Sequence, residues 1–269
     1  FVNIHGARVN MNEVVERKFA GDQVKLTVLR NQEPMELTVT PDTLIPRPET
    51  ELLVELALRR IPARTAARVL DLGTGLRFFG RTHDHTTPFE GTALVSHLHW
   101  DHVQGLPFFS PVLAEGARLE IVAPATDHEG GGLDADSAIR TFLGPPFFPV
   151  SLDALRGDIT VRSTPEGSFS VGDARVTSAE VPHCGRTLGY RIDVAGMSIG
   201  YVPDHQQPGP DATEVAPGVL ELVRDVDLLI HDAQFTQEEA VVAELYGHAT
   251  IEQAIELAEE AGVAAVALT

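Results

Sequence analysis

Apolar and polar positions alternate with period two along Val24-Lys25-Leu26-Thr27-Val28-Leu29-Arg30 and again from Met35 to Thr40, with the turn residues Asn31-Gln32-Glu33-Pro34 between them. Two alternating runs joined by a short turn predict a β-hairpin. Met11 to Phe19, just before it, has helical spacing. Further along, the continuous apolar runs Thr92-Ala93-Leu94-Val95 and Val226-Asp227-Leu228-Leu229-Ile230 predict buried strands, and Leu119 to Ala123 a third. More strands are predicted at Ile159 to Arg162, Arg175 to Val181, Leu188 to Val194 and Met197 to Val202. Gln237 to Leu245 reads as helical, and a second helix has Ile251, Ala254, Ile255, Leu257 and Ala258 on its apolar side. Pro124 to Pro149 breaks the pattern with Gly130-Gly131-Gly132 and Pro145-Pro146-Phe147-Phe148. It reads as a long aperiodic insert of the lid or substrate-wall kind, in which Phe142, Phe147 and Phe148 either line an apolar wall or, as the favoured alternative, form an ordinary satellite core.

Composition narrows the function classes. The 269 residues have a hydrophobic share of 43%, enough for a proper core, in one large domain or two small ones. Acidic side chains number 39 against 20 basic, a formal charge of −19, which argues against nucleic acid as a routine partner. The expected partner is a small-molecule substrate, with a homodimer as an open alternative. The single cysteine, Cys184, excludes an internal disulfide framework and suggests a reducing, cytoplasmic compartment. It is expected to be a small buried thiol. No apolar run approaches the ~18 residues of a membrane span.

The densest chemistry lies in Ser96-His97-Leu98-His99-Trp100-Asp101-His102. As an extended continuation of the strand before it, this stretch projects His97 and His99 the same way, while Asp101 and His102 turn off that line. One pair can face one cation and the second pair a neighbouring one, with imidazole and carboxylate suiting zinc, manganese or iron.

These residues resemble the HxHxDH motif of the metallo-β-lactamase-fold hydrolases, and the likeness continues through Gln104-Gly105-Leu106-Pro107-Phe108-Phe109 over about residues 71 to 269. The resemblance implies an α/β fold, an αβ/βα sandwich with a one- or two-metal site at one edge. It also implies a ligand set: His97, His99 and His183 for one divalent ion, Asp101 and His102 for a second, and Asp204 bridging both. Zinc is the first expectation, with Mn2+ or Fe2+ as alternatives. A bridging water would be the nucleophile. Asp232 and His248 match an acidic residue that orients a proton-donating histidine, so Asp101, Asp232 and His248 are the catalytic candidates. A helix-capping role for His248 beside Thr250 is the competing reading. In the family a further strand ends in a last metal-binding histidine; here Val266-Ala267-Leu268-Thr269 stands at that point. The domain is therefore expected to be truncated at its C-terminus; the alternatives are a weakly bound second metal, or His205 or water in the place of the missing ligand.

The resemblance implies a metal-dependent hydrolase, first a phosphodiesterase on a small or cyclic phosphodiester. The alternatives are a carboxylic ester, thioester or lactone hydrolase of the same fold, and an inert metal- or peptide-binding scaffold.

The N-terminal part follows other patterns. Residues 1 to 41 resemble the C-terminal half of a PDZ domain, through Gly6, Val9, Gly21-Asp22 and the hairpin. Leu44-Ile45-Pro46-Arg47-Pro48-Glu49 and Arg68-Val69-Leu70-Asp71-Leu72-Gly73-Thr74-Gly75 resemble segments of the release-factor glutamine methyltransferases, although Leu76-Arg77 stands where their cofactor turn has a small residue and a third glycine. The expected organisation is a hybrid chain: a PDZ-like hairpin segment at 1–41, a helical linker at 42–70 and a hydrolase domain at 71–269, with the hairpin standing in for missing first strands.

Overall fold

The alternation at the N-terminus does produce a hairpin: β3 (Val24–Arg30) pairs antiparallel with β4 (Glu33–Val39), closing with Arg30 opposite Glu33. A shorter pair, β1 (Val2–Ile4) with β2 (Ala7–Val9), precedes it. Beyond these strands and β5 (Val69–Leu70), the computed structural model describes residue 73, helix α1 (Gly75–Thr82) and residues 86–126, 131–165, 167–209 and 214–269. The predicted helix 11–19 and the linker 42–68 lie outside the described residues. The chain divides into two compact units, Phe1–Pro48 and Glu49–Thr269. In the first, β3 and β4 form a two-stranded sheet of their own.

The second unit is built on two sheets. β5, β6 (Glu90–Leu94), β7 (Arg118–Ala123) and β8 (Asp158–Ser163) form a four-stranded parallel sheet in that order. Six strands form the other: β9 (Ser168–Val171), β10 (Ala174–Val181), β11 (Thr187–Val194) and β12 (Met197–Val202) run antiparallel, and then β13 (Leu228–His231) and β14 (Val266–Leu268) continue parallel to β12.

The continuous apolar runs are explained by layering, because a parallel strand covered on both faces needs apolar residues at successive positions. Ala93 and Ile121 face one way, into a core with Leu76, Phe89, Leu106 and Phe109. Leu94 and Val122 face the other way, against Val176, Leu188, Tyr190 and Ile192 of the six-stranded sheet. That sheet's far side, through Val181, Val202 and Leu229, is covered by Val219 and Leu222 of α4 (Pro217–Val223) and Leu257 of α6 (Ile251–Glu260). The layers are therefore αβ/βα.

Two departures from the sequence pattern follow from local chemistry. The insert is not aperiodic: α3 (Ala135–Phe142) forms there, started by Asp134, whose carboxylate accepts the Ser137 N–H at 2.9 Å. Phe142 packs partly buried against the first core, whereas Phe147 is exposed. On α6, Ala254, Leu257 and Ala258 are buried but Ile255 is exposed, because the covered stripe is narrower than the apolar pattern. Among the described residues no helix is long and apolar enough to cross a membrane.

Candidate metal centre

The candidate residues gather because strands deliver them at their carboxyl ends. β6 ends at Leu94, the Val95 N–H still bonds the Val122 carbonyl at 2.9 Å, and the chain then bends at Ser96 and continues to the extended His99, the N-cap of α2 (Trp100–Val103). Two bonds pin this loop to the second sheet: the Leu188 N–H donates to the Ser96 carbonyl at 2.9 Å, and the buried Tyr190 hydroxyl donates to the Val95 carbonyl at 2.8 Å. His183 follows β10, Asp204 follows β12 and Asp232 follows β13. His248 lies between α5 (Ala240–Tyr246) and α6.

Two donor groups result. In the first, ligand atoms of His97, His99, His183 and Asp204 all lie within 4.8 Å of one another. His97 Nε2 and His99 Nδ1 are 2.8 Å apart, His183 Nε2 and His99 Nδ1 3.3 Å, and the Asp204 Oδ2 atom stands 3.4 Å from both His97 Nε2 and His183 Nε2. In the second group, His102 Nε2 is 3.3 Å from the other Asp204 oxygen and 3.6 Å from Asp101. One carboxylate thus touches both groups.

Several contacts orient the rings. His183 Nδ1 donates to the Gly247 carbonyl at 2.6 Å, which fixes the proton on that nitrogen and leaves the Nε2 lone pair for the cluster. Gly247 has φ +76°, and a Cβ there would meet His183 Nδ1 and Cys184 Sγ at 3.0 Å, so this helix-ending position requires glycine on both grounds. Ser96 Oγ lies 3.1 Å from His97 Nδ1. Cys184, expected buried, is exposed, with Sγ 3.6 Å from the Tyr246 carbonyl. The chain leaves the core after Val181 and reaches the surface at Cys184, while the His183 side chain stays buried.

Asp232 and His248 form the predicted pair, with His248 Nδ1 donating to Asp232 Oδ2 at 2.8 Å. That carboxylate also accepts backbone N–H groups of His205, Ala249 and Gln234 at 3.0 to 3.2 Å, which holds it rigidly. Thr250 caps α6 through its own side chain and Gln253, which leaves His248 to Asp232. The His248 ring stands 5.2 Å from that of His183.

Sequence patterning did not anticipate a second pair beneath the cluster. The fully buried His231 donates from Nδ1 to the Asp232 carbonyl at 2.6 Å, so its Nε2 accepts from His205 Nδ1 at 3.0 Å. His205 is thus held through Nδ1, while its buried Nε2 has no hydrogen-bond partner among the described residues. His231 ends β13 and His205 lies three residues past the end of β12, so only the pairing of those two strands brings the histidines together.

Electrostatics favour neutral rings around an ionised carboxylate. Burial, reinforced by His102, pushes the His97 imidazole down to about 2, and burial with His183 lowers that of His99. Burial lowers His205 and His231 as well. For Asp204 burial pushes upward, but the hydrogen bond and charge of His102, then His97 and His248, hold the carboxyl below its usual range. Imidazole nitrogens and a carboxylate oxygen gathered within 4.8 Å of one another fit a divalent cation of the zinc class, which takes such donors.

The lowered histidines fix the sign of a pH effect. Below about pH 6.5 the unfolded chain takes up protons that the native rings refuse, so acid favours unfolding. Chelator-treated protein is expected to melt at least ~5 °C lower at pH 5 than at pH 7.5 by calorimetry. An equal or higher melting temperature at pH 5 would contradict neutral buried rings.

Known proteins resemble the chain in family and in fold. The family profile described as a beta-lactamase superfamily domain matches residues 53–269. A ribonuclease Z from Bacillus velezensis is 29% identical over 219 residues, covering 65% of this chain and 68% of that protein. A release factor glutamine methyltransferase from Salmonella typhimurium is 50% identical over 64 residues, and the chain spans only 23% of its length. Among solved structures, the metallo-beta-lactamase fold protein YhfI from Bacillus subtilis superposes with a TM-score of 0.54 at 20% identity, over 75% of this chain and 72% of that one. The short form of human tRNase Z gives 0.51 at 20% identity, over 74% and 79%.

Proposed function

The chain belongs to the beta-lactamase superfamily, and on that premise we propose that it is a metal-dependent hydrolase of a small phosphodiester. The observation that supports this reading best is the Asp204 carboxylate placed between two donor groups, with the Asp232–His248 pair alongside. In this reading His97, His99 and His183 hold one divalent cation, zinc first, Asp101 and His102 a second, and Asp204 both. Cations held there supply Lewis acidity, making water more acidic and offsetting the negative charge that develops on the ester. Asp101 takes up the proton of the attacking water. His248, aligned by Asp232, gives a proton to the departing oxygen.

Ribonuclease Z is a nuclease by name, which favours phosphodiester chemistry. The formal charge of −19 favours a nucleotide-sized substrate over a long RNA. The test compares bis(p-nitrophenyl) phosphate with p-nitrophenyl acetate on zinc-loaded protein. Preference for the phosphodiester is expected; turnover of the acetate alone would move the activity to acyl esters.

A further inference from the structure

One large side chain in the motif takes no part in either donor group. Trp100 stands between His99 and Asp101, at the first position of α2, and is 70% exposed. Exposure on that scale leaves most of a large apolar ring in water, which is unusual for the residue type with the most apolar surface to cover. The ring is nevertheless backed on one side. Phe142, the last residue of α3, meets it edge-on, with centroids 6.3 Å apart and planes at 61°. Phe142 is itself anchored against the core. The backbone under Trp100 is held as well, because His102 and Val103 in the same short helix are buried. Trp100 follows His99 and precedes Asp101, so the backbone that carries this supported aromatic surface also carries a residue of each donor group.

We propose that Trp100, backed by Phe142, is a stacking subsite for an aromatic group of the substrate, so that the enzyme selects phosphodiesters carrying a nucleobase or aryl group. The proposal deepens the phosphodiesterase reading and rests on it for the position of the phosphate. Stacking suits this chain in particular, because a base's flat face can be held without adding basic side chains to an acidic protein. The insert that carries α3 thereby contributes to specificity through the ring that supports the platform.

Trp100 is the sole tryptophan of the sequence, so its emission reports on this position alone. Zinc-loaded protein is titrated with adenosine 5′-monophosphate and, separately, with ribose 5-phosphate. Saturable quenching by the first and none by the second is expected. In parallel, Trp100→Ala is expected to raise KM for bis(p-nitrophenyl) phosphate about ten-fold, with a smaller fall in kcat, and Trp100→Phe to recover most of the loss. Quenching without turnover of any phosphodiester would sustain the subsite while removing the hydrolase reading. Turnover with no base-dependent quenching and an unchanged KM in Trp100→Ala would overturn the subsite alone. A change of oligomeric state in Trp100→Ala with KM unchanged would instead give this surface to a second copy of the chain, and would also overturn it.

Discussion

Asp204→Asn is expected to lower turnover of bis(p-nitrophenyl) phosphate by at least ~1,000-fold, because in the proposed mechanism several kcal/mol of charge stabilisation depend on cations that this carboxylate would help to hold. The substitution keeps the side chain's shape and removes its charge. In the fold Asp204 approaches His97 and His183 with one oxygen and His102 with the other, so a single change weakens both donor groups. Metal content should fall together with activity, while the far-ultraviolet circular dichroism stays that of the wild type. A variant with normal turnover would show that the two groups do not work through a shared carboxylate.

The second large effect belongs to His248 and depends on the leaving group. For a phosphodiester that expels an alkoxide, His248→Ala should reduce kcat by ~10²- to 10⁴-fold, the range for loss of a general acid. For bis(p-nitrophenyl) phosphate, whose phenolate leaves without help, the loss should be at most about ten-fold. Asp232→Asn should show the same contrast in weaker form, since the ring loses its charged partner at 2.8 Å but not its place between the helices. Equal losses on both substrates would make His248 a binding residue and remove it from proton transfer.

Sequence reading succeeded where chemistry was local and failed where it depended on pairing across the fold. His97, His99, Asp101 and His102 lie close together in the chain, and extended backbone followed by a helical turn is enough to split them into two directions. The buried strands were legible because cover on both faces writes a continuous apolar run. His183, Asp204, Asp232 and His248 were reachable only through the order of motifs in a resembling family, since strand ends far apart in sequence meet only once the sheet forms. The His205–His231 pair had no local signal at all. β9 was overlooked because a four-residue edge strand with two exposed serines does not stand out as a period. α3 was overlooked because flanking glycines and prolines masked a helix that starts at an Asp134 cap. The exposure of Cys184 could not be read from a residue type that is so often buried.

The reading as a whole rests on Asp204 joining two metal sites, and the number of metals bound tests that most directly. Protein purified without added metal, then loaded with zinc and freed of excess, is assayed by elemental analysis, with bis(p-nitrophenyl) phosphate turnover measured on the same sample. The expected result is close to two equivalents per chain in active protein, falling in step with activity as a chelator removes them. Binding of one equivalent or none, with no turnover after zinc or manganese is supplied, would contradict a two-metal hydrolase.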